Sequence, residues 1–150
     1  MSTYEAFPSR ARVSEPLRPY LSPTRRGLRV TNSNGGFCRQ FRAALLEAHC
    51  GHCAYCGEFL CPHSFHVDHL IPKELGGSNS IGNLVASCPP CNTAKGARDL
   101  ESLREVLAVR FSKYRGVITA AQSRKLAELG VDLGLERFRF FFEEVLEAGA

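Results

Sequence analysis

The regular hydrophobic pattern of the chain begins only after the polar run at residues 32–36. From there apolar residues recur every three or four positions, which is the spacing of one helix face. They are Phe37, Phe41, Ala44, Leu45 and Ala48. This pattern predicts a helix that ends near residues 49–51. Residues 50–99 lack the periodicity and are rich in Cys, Gly and Pro, which predicts short and irregular elements in the centre of the chain.

Helical periodicity returns after residue 99. The apolar positions of the next predicted helix, which Gly116 ends, are Leu100, Leu103, Leu107, Phe111 and Tyr114. Thr119 and Gln122 then form a capping box, which predicts a short helix closed by Gly130.

A final helix is predicted from a last apolar stripe made of Leu135, Phe138, Phe142, Val145 and Leu146. Phe140 and Phe141 widen this stripe beyond the face that one surface helix buries, so a packing partner is expected. A second copy of the chain would supply one. We therefore keep a homodimer through this helix as a hypothesis.

Asp68 and His69 interrupt the apolar segment 67–72 in the centre of the chain. A carboxylate and an imidazole are costly to bury unless they are paired or bind a metal ion. The pair is therefore the first candidate for chemistry. Adjacent residues of a regular strand point to opposite faces, so the two can share a site only if the strand twists or ends there, which Pro72 favours.

The chain has 150 residues, enough for one domain with a core. It has no run of 18 apolar residues, which argues against a membrane span, and no apolar N-terminal segment typical of a signal peptide. A cytoplasmic protein is expected, without membrane partners. Seven cysteines in such a protein favour metal binding or free thiols over disulfides.

Four of the cysteines form two pairs separated by two residues, Cys53 with Cys56 and Cys88 with Cys91. Two such pairs can supply all four ligands of a tetrahedral zinc ion, and a site filled in this way is structural rather than catalytic. Doubled pairs at this spacing are a strong signal. Zn²⁺ is thus the predicted structural cofactor.

The ligand assignment has alternatives. Cys50 precedes Cys53 by three residues and makes a competing pair, and Cys61 and His63 are further potential ligands. Gly57 favours the pair that starts at Cys53, because a tight turn after the second cysteine needs a positive φ.

The net charge of +4 comes from the N-terminal segment. Residues 1–36 carry six arginines against two glutamates, whereas basic and acidic residues balance in 37–100 and in 101–150. Four prolines and few apolar residues predict a disordered arm. Such an arm suits contacts with phosphates, and a solubilising leader explains it equally well.

The central segment combines the cysteine pairs with the strings HVDHLIP, GG, GNL and CPPCNTAK, in this order. Together they resemble the zinc-bound branch of the HNH nucleases, over residues 50–99. The resemblance implies an α+β fold with a small ββα-metal core, held by a four-cysteine zinc site and flanked by α-helices. With the flanks added, it suggests three regions: a basic arm at 1–36, a nuclease domain at 37–115 and a helical appendage at 116–150.

The resemblance also implies the residue roles. His69 matches the general base, Asp68 and Asn92 match ligands of a catalytic Mg²⁺ or Mn²⁺, and Asn83 matches the residue that holds the loop. Asn92 equally suits a helix N-cap. Lys95 and Arg98 are expected on an exposed helix face that contacts nucleic acid.

The expected function is a metal-dependent endonuclease that hydrolyses DNA phosphodiester bonds, with RNA as an alternative substrate because the site reads only a phosphodiester. The competing hypothesis is a non-catalytic zinc module that binds nucleic acid or protein. The cysteines suit both. Asp68, His69, Asn83 and Asn92 favour the enzyme, because a binding module has no use for that set.

Overall fold

The structure of the protein is a computed structural model that describes residues 28–148, without the side chains of Leu146 and Ala148. Most of the basic arm predicted at residues 1–36 falls outside the described residues. The predicted domain boundaries at residues 36 and 115 stay predictions.

The regular structure of residues 28–148 includes two single-turn 3₁₀ helices, Lys73–Leu75 and Ile81–Asn83, together with two short strands and five α-helices. In chain order the strands and α-helices are α1 (Arg39–Ala48), β1 (His66–His69), β2 (Leu84–Ser87), α2 (Pro89–Lys95), α3 (Leu100–Arg110), α4 (Ala120–Glu128) and α5 (Phe141–Ala148). The strands pair antiparallel, with Asp68 opposite Val85 and His69 opposite Leu84. Helix α2 follows β2 directly and packs against β1. The predicted ββα core with flanking helices is confirmed.

The core lies around β2, all four of whose residues are buried. Phe41 and Leu45 reach it from α1, and Leu103 and Leu107 reach it from α3. In α1 and α3 the apolar spacing thus marks buried residues, but α3 ends at Arg110. The prediction that it continues to Gly116 is wrong, since Phe111 is its exposed C-cap and Tyr114 lies beyond the helix. Since helices cover the hairpin, the loop between β1 and β2 starts from a rigid base.

The capping box at the start of α4 is confirmed. The backbone N–H of Gln122 donates to the Thr119 hydroxyl at 3.2 Å, and the backbone N–H of Thr119 donates to the side-chain Oε1 of Gln122 at 2.8 Å. Within residues 28–148 no helix has the length and apolar character needed to cross a membrane.

The last helix begins at Phe141, and the prediction that it starts near Leu135 is wrong. Phe140 is its N-terminal boundary, because the Phe140 carbonyl accepts from Glu143 while the Phe140 N–H donates to the Glu143 carboxylate. Residues 131–140 run across the surface without regular structure and deliver Phe140 into the core. Arg104 fixes this segment by donating to Phe138 O and to both Glu143 oxygens.

The start of α5 packs against the chain's own cysteine knuckle. The N–H groups of Phe141 and Phe142 donate to the carbonyls of Tyr55 and Ala54, both at 3.0 Å. Phe140 and Phe141 are buried in this contact. The packing partner expected for the wide apolar stripe thus lies in the same chain, and the homodimer hypothesis loses the observation that suggested it.

Candidate active site

The two cysteine pairs converge on one point. The Sγ atoms of Cys53, Cys56, Cys88 and Cys91 all lie within 4.8 Å of one another. Tetrahedral zinc with bonds of about 2.3 Å requires sulfur atoms about 3.8 Å apart, and the Sγ atoms of Cys56 and Cys88 are 3.8 Å apart. The backbone N–H of Cys88 also points at the Cys53 sulfur, at 3.3 Å. This donor set fits a structural zinc ion.

Cys50, the competing cysteine, does not belong to this cluster, and neither does Cys61. Both residues are exposed. Cys50 has a φ of 50°, whereas the turn after Cys56 places its positive φ of 77° on Gly57. The glycine thus lies where the preferred pairing requires it.

Tyr55, which lies between the first two cysteines, links the knuckle to strand β1. Its side chain is fully buried, and its hydroxyl donates to Asp68 Oδ2 at 2.6 Å. The other carboxylate oxygen accepts from the backbone N–H of His69 at 2.8 Å. Burial raises the pKa of Asp68, and the Tyr55 hydrogen bond and the Lys95 charge oppose this rise. Asp68 is therefore oriented by the part of the chain that the cysteines hold.

His69 is the last residue of β1, and its ring is hydrogen-bonded to Asn79 in the loop between β1 and β2. The Nε2 atom lies 2.8 Å from Oδ1 of Asn79. A carboxamide oxygen only accepts hydrogen bonds, so Nε2 carries the proton in the neutral ring and Nδ1 has the free lone pair. Phe37 packs near the same ring, with centroids 6.1 Å apart.

Asn83 joins the two ends of the loop between the strands. Its Oδ1 accepts from the backbone N–H of Ile71 at 2.8 Å, and its Nδ2 donates to the carbonyls of Ile71 and Ser78, both at 3.0 Å. Gly77 lies against this clamp, since a Cβ there would come within 1.7 Å of the Ile71 oxygen. The loop that carries the His69 partner is thereby closed at its base.

Asn92 lies within α2, where the N-cap position belongs to Cys88. The prediction that Asn92 caps the helix is therefore wrong. Its side chain is half-buried. Because α2 packs against β1, Asn92 projects from the helix that flanks the strand bearing Asp68.

The exposed position predicted for Lys95 is wrong. The side chain is fully buried, and its Nζ donates to the backbone carbonyl of His69 at 3.1 Å. Burial lowers its pKa, and the charge of Asp68 partly offsets this effect. Lys95 therefore supports the end of β1 instead of facing a phosphate. Arg98 is exposed as predicted, but it lies in the connection after α2 and not on a helix face, and its Nη1 donates to Ala94 O.

Two residues of this site were not predicted, Tyr55 and Asn79. Tyr55 lies between Cys53 and Cys56, and nothing in the sequence indicates that its hydroxyl contacts Asp68. Asn79 lies in the polar stretch GGSNS, ten residues after its partner, and nothing local distinguishes it from a turn residue.

Comparison with known proteins points to one family. Residues 53–98 match the family described as HNH endonuclease, which is less than a third of the chain. Forty-four residues are 46% identical to the CRISPR-associated endonuclease Cas9 of Actinomyces naeslundii, and 45 residues are 42% identical to that of Corynebacterium diphtheriae.

Each of these matches covers 29% of the chain and 4% of the relative, so the chain spans only a small part of the length of the relatives it matches. The matched interval starts at Cys53 and ends at Arg98, and thus contains both cysteine pairs, both strands and α2. Residues 53–98 are therefore an HNH domain.

Proposed function

We propose that the chain is a metal-dependent endonuclease that hydrolyses phosphodiester bonds of DNA. The observation that carries this proposal is the arrangement at the end of β1. Asp68 is fixed by the buried Tyr55, and His69 is fixed by Asn79, in adjacent residues beside α2. A module that only binds needs neither constraint.

His69 is the proposed general base. With its Nε2–H donating to Asn79, the Nδ1 lone pair takes a proton from the water that attacks phosphorus. A neutral imidazole suits this step, because its unprotonated nitrogen can accept the proton of the attacking water. Asn79 holds the ring in the required tautomer and orientation.

Asp68 and Asn92 are the proposed protein ligands of one catalytic Mg²⁺ or Mn²⁺. The fit rests on donor chemistry, because a carboxylate and a carboxamide offer the hard oxygen atoms that these ions prefer. Such a cation would stabilise the charge that develops on the phosphate and on the leaving oxygen. Tyr55 and the His69 N–H hold the Asp68 carboxylate in one orientation.

Asn83 and Lys95 have supporting roles in this proposal. Asn83 closes the base of the loop, so the distance between the strand end and Asn79 stays constant. The Lys95 ammonium holds the carbonyl of His69 and adds a positive charge near Asp68.

The experiment that tests the proposal is conversion of supercoiled plasmid to open-circle or linear DNA with Mg²⁺ or Mn²⁺. Wild type is compared with His69→Ala and with His66→Ala, a matched control because His66 is exposed on the same strand. Loss of a general base lowers turnover about 10²- to 10⁴-fold, so His69→Ala should be that much slower and His66→Ala should not. All three proteins are compared at equal zinc content.

Equal cutting by wild type and His69→Ala would show that another group, or a contaminant, does the chemistry. If folded and zinc-loaded wild type cuts neither plasmid nor RNA, the non-catalytic zinc module becomes the better description. Cutting of RNA alone would change the substrate and keep the mechanism.

A further inference from the structure

A cationic cavity lies outside the site described above, between α3 and α4. It is an open cavity of about 660 Å³ lined by four arginines, namely Arg98, Arg110, Arg115 and Arg124. No aspartate or glutamate is among its lining residues. Three of the four arginines come from residues 101–150, which contain eight basic and eight acidic side chains. The charge of Arg124 is partly compensated by Glu105, which lies 2.8 Å away and outside the lining. We refer to this cavity as the arginine groove.

Three of these guanidinium groups are held in place. Arg98 donates to the carbonyl of Ala94 at 2.9 Å, Arg110 donates to the carbonyl of Pro90 at 3.1 Å, and Arg124 donates to the Glu105 carboxylate at 2.8 Å. Each guanidinium has five N–H groups, so donors remain for a ligand after these bonds form. Because these hydrogen bonds already restrict the arginine side chains, the side chains lose less conformational entropy when a ligand binds.

The arginine groove adjoins the helix of the proposed active site. Arg98 follows α2 by three residues, and Pro90, which accepts from Arg110, lies in the first turn of α2. Helix α2 also carries Asn92. Helix α2 thus lies next to both β1 and the arginine groove.

The chemistry of the groove selects a polyanion. Arginine binds phosphate oxygens through its planar fork of donors. The lining also includes the apolar side chains Val106, Val109 and Ile118, which suit contact with sugar carbons more than with a free, fully hydrated anion. An open groove of this size suits a chain that passes through it better than a small enclosed molecule.

We propose that the arginine groove binds the phosphate backbone of the DNA duplex whose scissile phosphate lies at Asp68 and His69. This proposal rests on the proposed function and extends it to a second contact region on α3 and α4, outside the matched interval 53–98 apart from Arg98. The groove positions the duplex and contacts no reacting atom.

The test measures binding of a fluorescently labelled DNA duplex by anisotropy across a salt series, with His69→Ala as the parent protein so that cutting is slow. The groove variant adds Arg110→Ala and Arg115→Ala. The control variant adds Arg137→Ala and Arg139→Ala, which remove the same charge from exposed side chains that pair with glutamates outside the groove. Thermal melting and zinc content verify that all three proteins fold.

Each phosphate contact contributes about 0.9 to the slope of log K against log salt. The groove variant should therefore bind about tenfold more weakly, with a slope smaller by about 1.8, while the control variant binds like the parent. Equal weakening of both variants would mean a long-range charge effect, and no weakening of either would mean that DNA does not enter the groove. Either result overturns the proposal.

Plasmid cutting separates this proposal from the proposed function. Wild-type cutting together with unchanged binding by the groove variant would leave the nuclease standing and the groove refuted. Absent cutting together with weakened binding would refute the nuclease and keep the groove as a DNA-binding surface.

Discussion

Asn83→Ala should destabilise the protein, because it removes three hydrogen bonds at the base of the loop between β1 and β2. The carboxamide accepts from Ile71 N–H at 2.8 Å and donates to Ile71 O and Ser78 O at 3.0 Å, in a residue that is only 7% exposed. A neutral hydrogen bond contributes about 0.5–1.5 kcal/mol net. Ile71 and Ser78 are exposed, so water can replace part of the loss. We expect a cost of about 2–3 kcal/mol.

The measurement is the free energy of unfolding, from a urea titration at constant zinc content that is monitored by far-ultraviolet circular dichroism. Asn79→Ala is the matched comparison, since it shortens another asparagine of the same loop that makes one side-chain hydrogen bond, to the ring of His69. Its expected cost is below about 1 kcal/mol. Both variants should cut plasmid slowly, Asn83→Ala because the loop shifts and Asn79→Ala because the ring loses its acceptor.

The reasoning is wrong if Asn83→Ala loses less than about 1 kcal/mol or no more than Asn79→Ala. That result would mean that the loop is closed by other contacts and that the three hydrogen bonds exchange for water without loss. A stable Asn83→Ala protein with full cutting activity would also remove Asn83 from the proposed site.

Three further predictions concern separate parts of the fold. Gly77→Ala should lower the melting temperature more than Gly76→Ala, because a Cβ at Gly77 meets the Ile71 backbone at 1.7 Å, whereas Gly76 has open space and only its φ of 85° is strained; equal shifts would contradict the clash. Cys88→Ala, or a zinc chelator with wild type, should unfold the centre of the chain and abolish the far-ultraviolet signal of the native state, since structural zinc contributes folding free energy directly; a native signal without zinc would refute this. The hydrogen bonds from Arg104 lower the pKa of Glu143, so their contribution to stability is fully present above the unfolded pKa of about 4.3 and is lost as the pH falls through the lower folded pKa. Glu143→Gln should therefore lower the free energy of unfolding at pH 7, and this loss should become smaller as the pH falls below the unfolded value; a loss that does not change with pH would mean that the ion pair is not the cause.

The sequence was sufficient for features that depend on neighbouring residues. The spacing of Cys53 and Cys56 limits where two sulfur atoms can point, and the capping box of Thr119 and Gln122 closes within one helical turn. The apolar stripe of α3 likewise marks its buried face. For the cysteine pair and the capping box the interacting groups lie within a few bonds of the chain, so local stereochemistry decides the outcome. The apolar spacing of α3 depends only on which of its residues avoid water.

The tertiary structure was needed wherever a side chain meets a partner that is distant in sequence. The sequence predicts Lys95 on a solvated helix face. In the structure its ammonium group donates to the carbonyl of His69, which lies 26 residues earlier at the end of β1. The sequence predicts Phe140 within the last helix. In the structure it precedes α5 and its side chain is buried in the core. Hydrophobic spacing records which residues avoid water, but it does not record which element covers them.

The same distinction applies inside the proposed site. Asp68 and His69 are conspicuous in the sequence because a carboxylate and an imidazole interrupt an apolar segment. What orients them are Tyr55, 13 residues before Asp68, and Asn79, ten residues after His69. A hydrogen bond forms only when donor and acceptor lie within about 3 Å in a suitable direction. That condition is met once the cysteine knuckle, the hairpin and its loop have packed together, and no residue pattern along the chain specifies it.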